Sequence, residues 1–323
     1  MSIPRYDTII IGAGMSGLAA GIRLAQFDQR VLILEKHYLW GGLNSFYKRA
    51  GRRFDVGLHA LTNYVPKGTK GTPLAKLLRQ LRLRHDDLQL APQSFSEIAF
   101  PDARLRFSND FELFRSEVHA LFPEQIQEFE RLVQVVDEYD AFNPPDTEIG
   151  AREVLAGILT EPRLVEMLLC PLSFYGSARE GDVDWYQFVI LFKSLFQEGF
   201  ARPEGGIKPL LDLLTARYKE LGGELRMRAG VQRIVEDQGQ CLGVQLEDGT
   251  QLEADRVLSS AGWAETMRLA GDSHYKAHVR ESEIGSLSFI ESIFVMNRMP
   301  ADLGHEATIV FFNDSPRFDY QSP

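Results

Sequence analysis

Gly12-Ala13-Gly14-Met15-Ser16-Gly17 fits the spacing GxGxxG. It follows a β-branched run over residues 6–11 and opens an Ala- and Leu-rich stretch over 18–26. In that spacing the first glycine allows a tight turn. The second lets backbone approach a pyrophosphate, and the third lets helix and strand pack closely. The helix that follows points unpaired N–H groups and a positive dipole end at the phosphates. A second strand over 30–35 ends at Glu35, 18 residues past Gly17. A carboxylate near that distance suits a ribose hydroxyl. A lone hexamer of this kind is weak evidence. Strand before, helix after, second strand and acidic residue together make chance a poor explanation and point to a dinucleotide.

Two further features favour FAD over NAD. Gly41-Gly42 offers another close approach of backbone soon after the second strand, and Phe54-Asp55-Val56-Gly57-Leu58-His59 extends the unit further. His59 has two readings: a side chain that gives a hydrogen bond or proton beside a flavin, or a histidine satisfied within a turn. HExxH, CxxC and GxSxG do not occur, so metal and serine-hydrolase chemistry have no support.

These residues need elements to hold them. A continuous apolar strand at 6–11 suits the middle of a parallel sheet. Helices are expected at 74–83, 110–122, 124–139, 149–159 and 162–169. Residues 185–196 are the most apolar and aromatic segment, read as the lining of an apolar channel, as a contact with a membrane, or as an ordinary core helix. After Gly205-Gly206, α/β character returns with a helix over 208–221 that stops at Gly222-Gly223. Strands are expected at 231–236, 241–246, 251–254, 256–260, 288–297 and 308–313.

The 323 residues suggest about two domains. The net charge is -10, which argues against a general nucleic-acid binder. It is uneven: residues 1–100 carry 14 Lys and Arg against 7 Asp and Glu, while 101–200 carry 8 against 19. The basic clusters Lys48-Arg49, Arg52-Arg53 and Arg79, Arg82, Arg84 are read as solvated faces, with phospholipid headgroups as the functional alternative. With two separated cysteines, Cys170 and Cys241, a reducing compartment is expected. No stretch reaches the ~18 apolar residues of a spanning helix, and the N-terminus lacks the apolar core of a signal peptide. A cytoplasmic protein is expected, with peripheral membrane contact as an option and its oligomeric state open.

Residues 7–20, Glu35-Lys36, Gly41-Gly42-Leu43-Asn44-Ser45-Phe46 and residues 54–59 resemble the FAD-dependent phytoene desaturase family, which includes carotenoid isomerases and retinol saturases. The resemblance resumes at Pro203-Glu204-Gly205-Gly206, Gly222-Gly223, Val231 and Val257-Leu258-Ser259-Ser260-Ala261-Gly262. It implies a Rossmann-like α/β FAD-binding domain, three layers around a central parallel sheet, formed by 1–73 and 204–285. An inserted α+β substrate domain would comprise 74–203 and 286–323. By the same resemblance Gly12, Ala13, Gly14, Met15, Ser16 and Gly17 hold the FAD pyrophosphate. Glu35 binds the adenosine ribose with Lys36 beside it. Gly42 and Leu43 lie along the phosphate and ribityl chain, and Val231 faces adenine. Ala261 and Gly262 line the adenosine side, while Leu58 and His59 approach the flavin ring. The substrate class implied is an apolar isoprenoid polyene, with no catalytic side chain named. Leu43 stands where amine and protoporphyrinogen oxidases usually carry arginine, which favours the desaturase branch. An amine or porphyrinogen oxidase stays open as the alternative. So does a truncated, inactive fragment, because the family is longer and closes on a Gly-Asp motif that nothing after Asn313 supplies.

Overall fold

The computed structural model describes residues 5–57, 59–140, 143, 149–176, 180–281, 284 and 290–318. In chain order, β1 (Arg5–Ile11), α1 (Met15–Ala25) and β2 (Val31–Glu35) lead into a hairpin of β3 (Phe46–Arg49) and β4 (Arg52–Asp55). Then come α2 (Pro73–Leu81), β5 (Leu90–Pro92), β6 (Ser96–Phe100), β7 (Ala103–Phe107), α3 (Phe111–Leu121), α4 (Ile126–Glu138), α5 (Ala151–Ala156), α6 (Pro162–Gly176) and α7 (Trp185–Phe192). The last part comprises β8 (Ala201–Pro203), α8 (Ile207–Glu220), β9 (Glu224–Met227), β10 (Val231–Asp237), β11 (Gln240–Leu246), β12 (Gln251–Ser259), α9 (Trp263–Ala270), α10 (Asp272–His278) and β13 (Val310–Phe312).

The chain divides into two compact units. One comprises Met1–Leu61, Pro73–Ala91 and Arg202–Ile284; the other comprises Thr62–Thr72, Pro92–Ala201 and Gly285–Pro323. Residues 62–72 thus group with the second unit and 73–91 with the first, whereas the sequence suggested one change at 73. Leu78 and Leu81 of α2 supply the reason, since both are buried in the core of the first unit.

The first unit is built on a six-stranded sheet of order β10-β11-β12-β1-β2-β9. Strands β12, β1, β2 and β9 run parallel, and β10 and β11 add antiparallel at one edge. Strand residues alternate between faces. Ile10, Val31 and Ile33 therefore pack with Leu18 and Ile22 of α1 and Leu211, Leu214 and Tyr218 of α8. Ile9, Ile11, Leu32 and Leu34 pack with Val244, Leu246, Leu252 and Ala254. Both faces of β1 and β2 are covered, as their unbroken apolar sequences require.

The second unit contains a three-stranded sheet, β13-β6-β7, with β13 parallel to β6. Phe107, Phe114, Phe129, Phe188, Phe192, Phe196 and Phe200 are each fully buried. The aromatic segment at 185–196 is therefore core packing, its ordinary reading. It continues past α7 into a π-helix, Lys193–Glu198.

Several expected elements change. Strands at 251–254 and 256–260 are one strand, β12, paired along its length with β11 and β1. Residues 290–297 are not strand; the rest of the expected 288–297 strand lies outside the described residues. Ile290 and Phe294 are 99% and 84% exposed there, so among the described residues the apolar pattern joins no sheet.

Glu198, at the end of the π-helix, accepts a 2.7 Å hydrogen bond from the Asn63 side-chain amide. Burial pushes its carboxyl above the usual range. A raised carboxyl favours the neutral form in the folded chain. Its contribution to stability is thus full at acid pH and is lost as pH rises through the raised value. Glu198→Gln keeps an acceptor for Asn63 and never ionises. Denaturant unfolding should show this variant to be the more stable at pH 7. The gain should vanish below the carboxylate range, and a variant weaker at pH 7 would contradict the account.

Candidate functional site

The site forms along the C-terminal ends of β12, β1 and β2. Register places Ile11 opposite both Ser259 and Leu34, so Gly12, Ser260 and Glu35 leave the sheet together at one edge. Ligands of open α/β sheets sit outside this edge, where strand order reverses beside the first strand.

Gly12 has φ +99°, and a Cβ on it would meet the Ser260 hydroxyl at 2.7 Å. That hydroxyl donates to the carbonyls of Ile11 (3.0 Å) and Gly12 (3.2 Å), which holds the turn. A Cβ on Gly17 would lie 2.1 Å from the Gly12 carbonyl oxygen, so this glycine is required by packing. Gly14 differs. Its φ of -67° suits any residue, and nothing lies within 4 Å of a Cβ built there. It precedes α1, whose N-terminus has no side-chain cap. The first N–H groups of a helix lack intrahelical partners, and the dipole adds a partial positive charge. The space at Gly14 thus lies open beside N–H groups that suit an anion.

The second glycine pair completes one side of it. The Gly41 N–H donates to the Ala13 carbonyl at 2.8 Å, and Gly14 and Gly41 pair as a parallel bridge. Gly42 is exposed and Leu43 is 88% exposed. Two glycine loops are therefore hydrogen-bonded side by side.

Glu35 is buried. Its Oε2 accepts the Ala13 N–H at 2.8 Å and its Oε1 the His37 N–H at 2.9 Å. An ionised carboxylate has about four acceptor sites, so each oxygen retains capacity for a ligand hydroxyl. Lys36 next to it is exposed. The Glu35 carbonyl accepts the Ala229 N–H at 2.9 Å, which brings in half-buried Val231 at the start of β10. Ala261 and Gly262, both exposed, follow Ser260.

Farther along the chain, Asp55 is buried and accepts from Arg202 Nη2 at 2.6 Å and from the Ile207 N–H, at the start of α8, at 3.3 Å. Arg202 Nη1 also donates to the His59 carbonyl at 2.9 Å. The His59 segment is thus clamped by a residue more than a hundred positions away. Leu58 lies outside the described residues. The sequence reading missed Arg202, Ser260 and the role of Asp55, although Asp55 and Ser260 both lie inside segments already singled out.

The donor set fits FAD: backbone N–H groups for a pyrophosphate, and a buried carboxylate with open acceptor sites for ribose. Glu35→Ala should deprive two N–H groups of their acceptor, at about 1–3 kcal/mol for the buried Ala13 N–H and less for the part-buried His37 N–H. Chemical denaturation of the flavin-free chain should show that loss. Wild-type stability in the variant would remove Glu35 from this role.

A family model for flavin containing amine oxidoreductases matches residues 15–265, well over half of the chain. The chloroplastic prolycopene isomerase of Arabidopsis thaliana is 23% identical over 79% of this chain and 47% of that protein. The neurosporene-forming phytoene desaturase of Cereibacter sphaeroides is 26% identical over 96% of this chain and 64% of that protein. The chain spans about half the length of the plant relatives it matches. A crystal structure of an oxidoreductase from Methanosarcina mazei covers 85% of this chain and 63% of its own, at TM-score 0.63 and 21% identity. Putrescine oxidase with bound putrescine covers 83% and 61%, at 0.56 and 18%. These two show the fold. The chain belongs to the flavin containing amine oxidoreductase family of FAD-dependent oxidoreductases.

Proposed function

We propose that this chain carries the FAD-binding part of an oxidoreductase that acts on an apolar, isoprenoid-like polyene. The observation that carries the reading is the paired glycine loops beside the buried Glu35 carboxylate. FAD, when bound, supplies a hydride acceptor or donor at N5. Residues 12–17 and Gly42 hold its pyrophosphate through backbone N–H groups, and Leu43 lies along the ribityl chain. Glu35 orients the adenosine ribose with Lys36 beside it. Val231, Ala261 and Gly262 line the adenosine side. Leu58 and His59 face the ring, where His59 gives a hydrogen bond. The unit assembled from 1–61, 73–91 and 202–284 serves as the FAD-binding domain and the other as the substrate domain.

Hydride would pass between an allylic C–H and the flavin in desaturation, saturation or redox-assisted isomerisation. A polyene offers no charged handle, so few acid or base side chains are needed. The curated relatives support this substrate class, because those named above are a prolycopene isomerase and a phytoene desaturase. Leu43 supports it as well. An amine substrate is favoured by the description of the matching family and by fold-level likeness to putrescine oxidase, and one fold hosts many chemistries.

Two measurements test the proposal. The purified chain mixed with FAD should acquire bound-flavin absorbance, and an anaerobic polyene should bleach it while putrescine does not. The reverse pattern would install the amine reading. Gly14→Ala should fold with the stability of the wild type, since its Cβ meets nothing, yet bind FAD at least about tenfold more weakly, a loss of about 1.4 kcal/mol. Unchanged affinity would move the pyrophosphate elsewhere.

A further inference from the structure

The β3–β4 hairpin carries a charge arrangement that its own stability does not explain. Its register sets Lys48 opposite Arg53 and Arg49 opposite Arg52. All four are exposed. Like charges directly opposite across an antiparallel pair are destabilising. Among the described residues none of the four side chains has a carboxylate partner. The hairpin is held instead by Tyr47 stacked on Phe54, ring centroids 5.4 Å apart, and by buried Phe46.

A cavity of about 490 Å³ opens beside it, lined by Arg52, Arg53, Asp55, Arg202, Gly205 and Gly206. Asp55 is the one carboxylate in that lining, and it is committed to Arg202 and the Ile207 N–H. Three guanidinium groups against one carboxylate leave an excess of two positive charges. Gly205 is exposed and adds no side chain, so a ligand can approach its backbone, whereas buried Gly206 packs against the Asp55 carboxylate. Planar guanidinium forks match the oxygens of a phosphoryl group two at a time.

We propose that this cleft binds a phosphoryl oxyanion carrying about two negative charges, as a soluble phosphate ester or as a lipid headgroup. The site shares no residue with the glycine cradle. Ligand charge relieves the repulsion built into the hairpin, so binding and ordering of β3–β4 are coupled.

The test is calorimetric titration of the chain with inorganic pyrophosphate, with and without FAD. Alongside it, the chain is sedimented with phosphatidylcholine vesicles with and without phosphatidic acid. The wild type should bind pyrophosphate or acidic vesicles, more weakly as salt rises. The Arg52→Gln/Arg53→Gln double variant should lose about tenfold or more in affinity and melt no lower than the wild type, because it loses two like-charge pairs. Lys219→Gln, on the exposed last turn of α8, should change nothing. Binding of pyrophosphate without sedimentation assigns a soluble ester; sedimentation that pyrophosphate reverses assigns a headgroup. No binding of either probe, or equal binding by the double variant, overturns the proposal. The double variant leaves residues 12–17 and Glu35 intact. Pyrophosphate held there would persist in it, and FAD binding reports that cradle separately.

Discussion

The Glu35 carboxylate, buried at the end of β2, is the constraint around which the rest of the site is arranged. A buried charge is costly unless hydrogen bonds replace its water. Here two backbone N–H groups do so, Ala13 from the first glycine loop and His37 from the chain just beyond. Such charge-assisted bonds are among the stronger ones in proteins. One side chain thus fixes the first glycine loop relative to β2. The Ser260 hydroxyl fixes the same loop relative to β12 from the other side. Neither contact would form if β1 slipped by one residue, because every strand side chain would then change face. Both faces of β1 and β2 are apolar, so the slip is opposed by the fit of each face to its own core. Burial sets register, register sets the carboxylate, and the carboxylate sets the cradle.

Much of this was legible in the sequence, for a physical reason. A cradle made of backbone N–H groups demands glycine at fixed offsets, and fixed offsets can be read. Gly14 shows the distinction between demands. Nothing in the fold requires glycine there, whereas Gly12 and Gly17 are required by contacts at 2.7 and 2.1 Å. Spacing reveals all three positions, and only geometry shows which of them the fold itself requires. Arg202 was not legible. It acts by reaching back to Asp55 and the His59 carbonyl, a relation without local period or spacing.

The elements missed share a related cause. Strands β6 and β7 are five residues each, and β7 reads Ala-Arg-Leu-Arg-Phe, with buried and exposed residues alternating. That period is clear once the strand is known, but it lies between long helical segments and competes with their pattern. Strand β9 is half-buried throughout, so it has no apolar face to announce it and is defined by pairing with β2. Conversely, 290–297 has strand-like apolar content and is not strand, because propensity for sheet is fulfilled only by a partner.

The division into two units bears on how far function can follow from fold. Every group of the cradle described above comes from 5–57 or 202–281, and so from the first unit. Substrate choice depends on side chains of other surfaces, where no spacing rule operates. The aromatic segment at 185–196 illustrates the difficulty. By composition it suits the lining of an apolar channel as well as a core, and burial assigns Phe188, Phe192 and Phe196 to the core. The arginines of the β3–β4 hairpin show the opposite case. Composition alone reads them as ordinary solvated charge. Their cross-strand register makes them a cost to the folded chain, and an element that works against its own stability is a better guide to binding than one that merely fits.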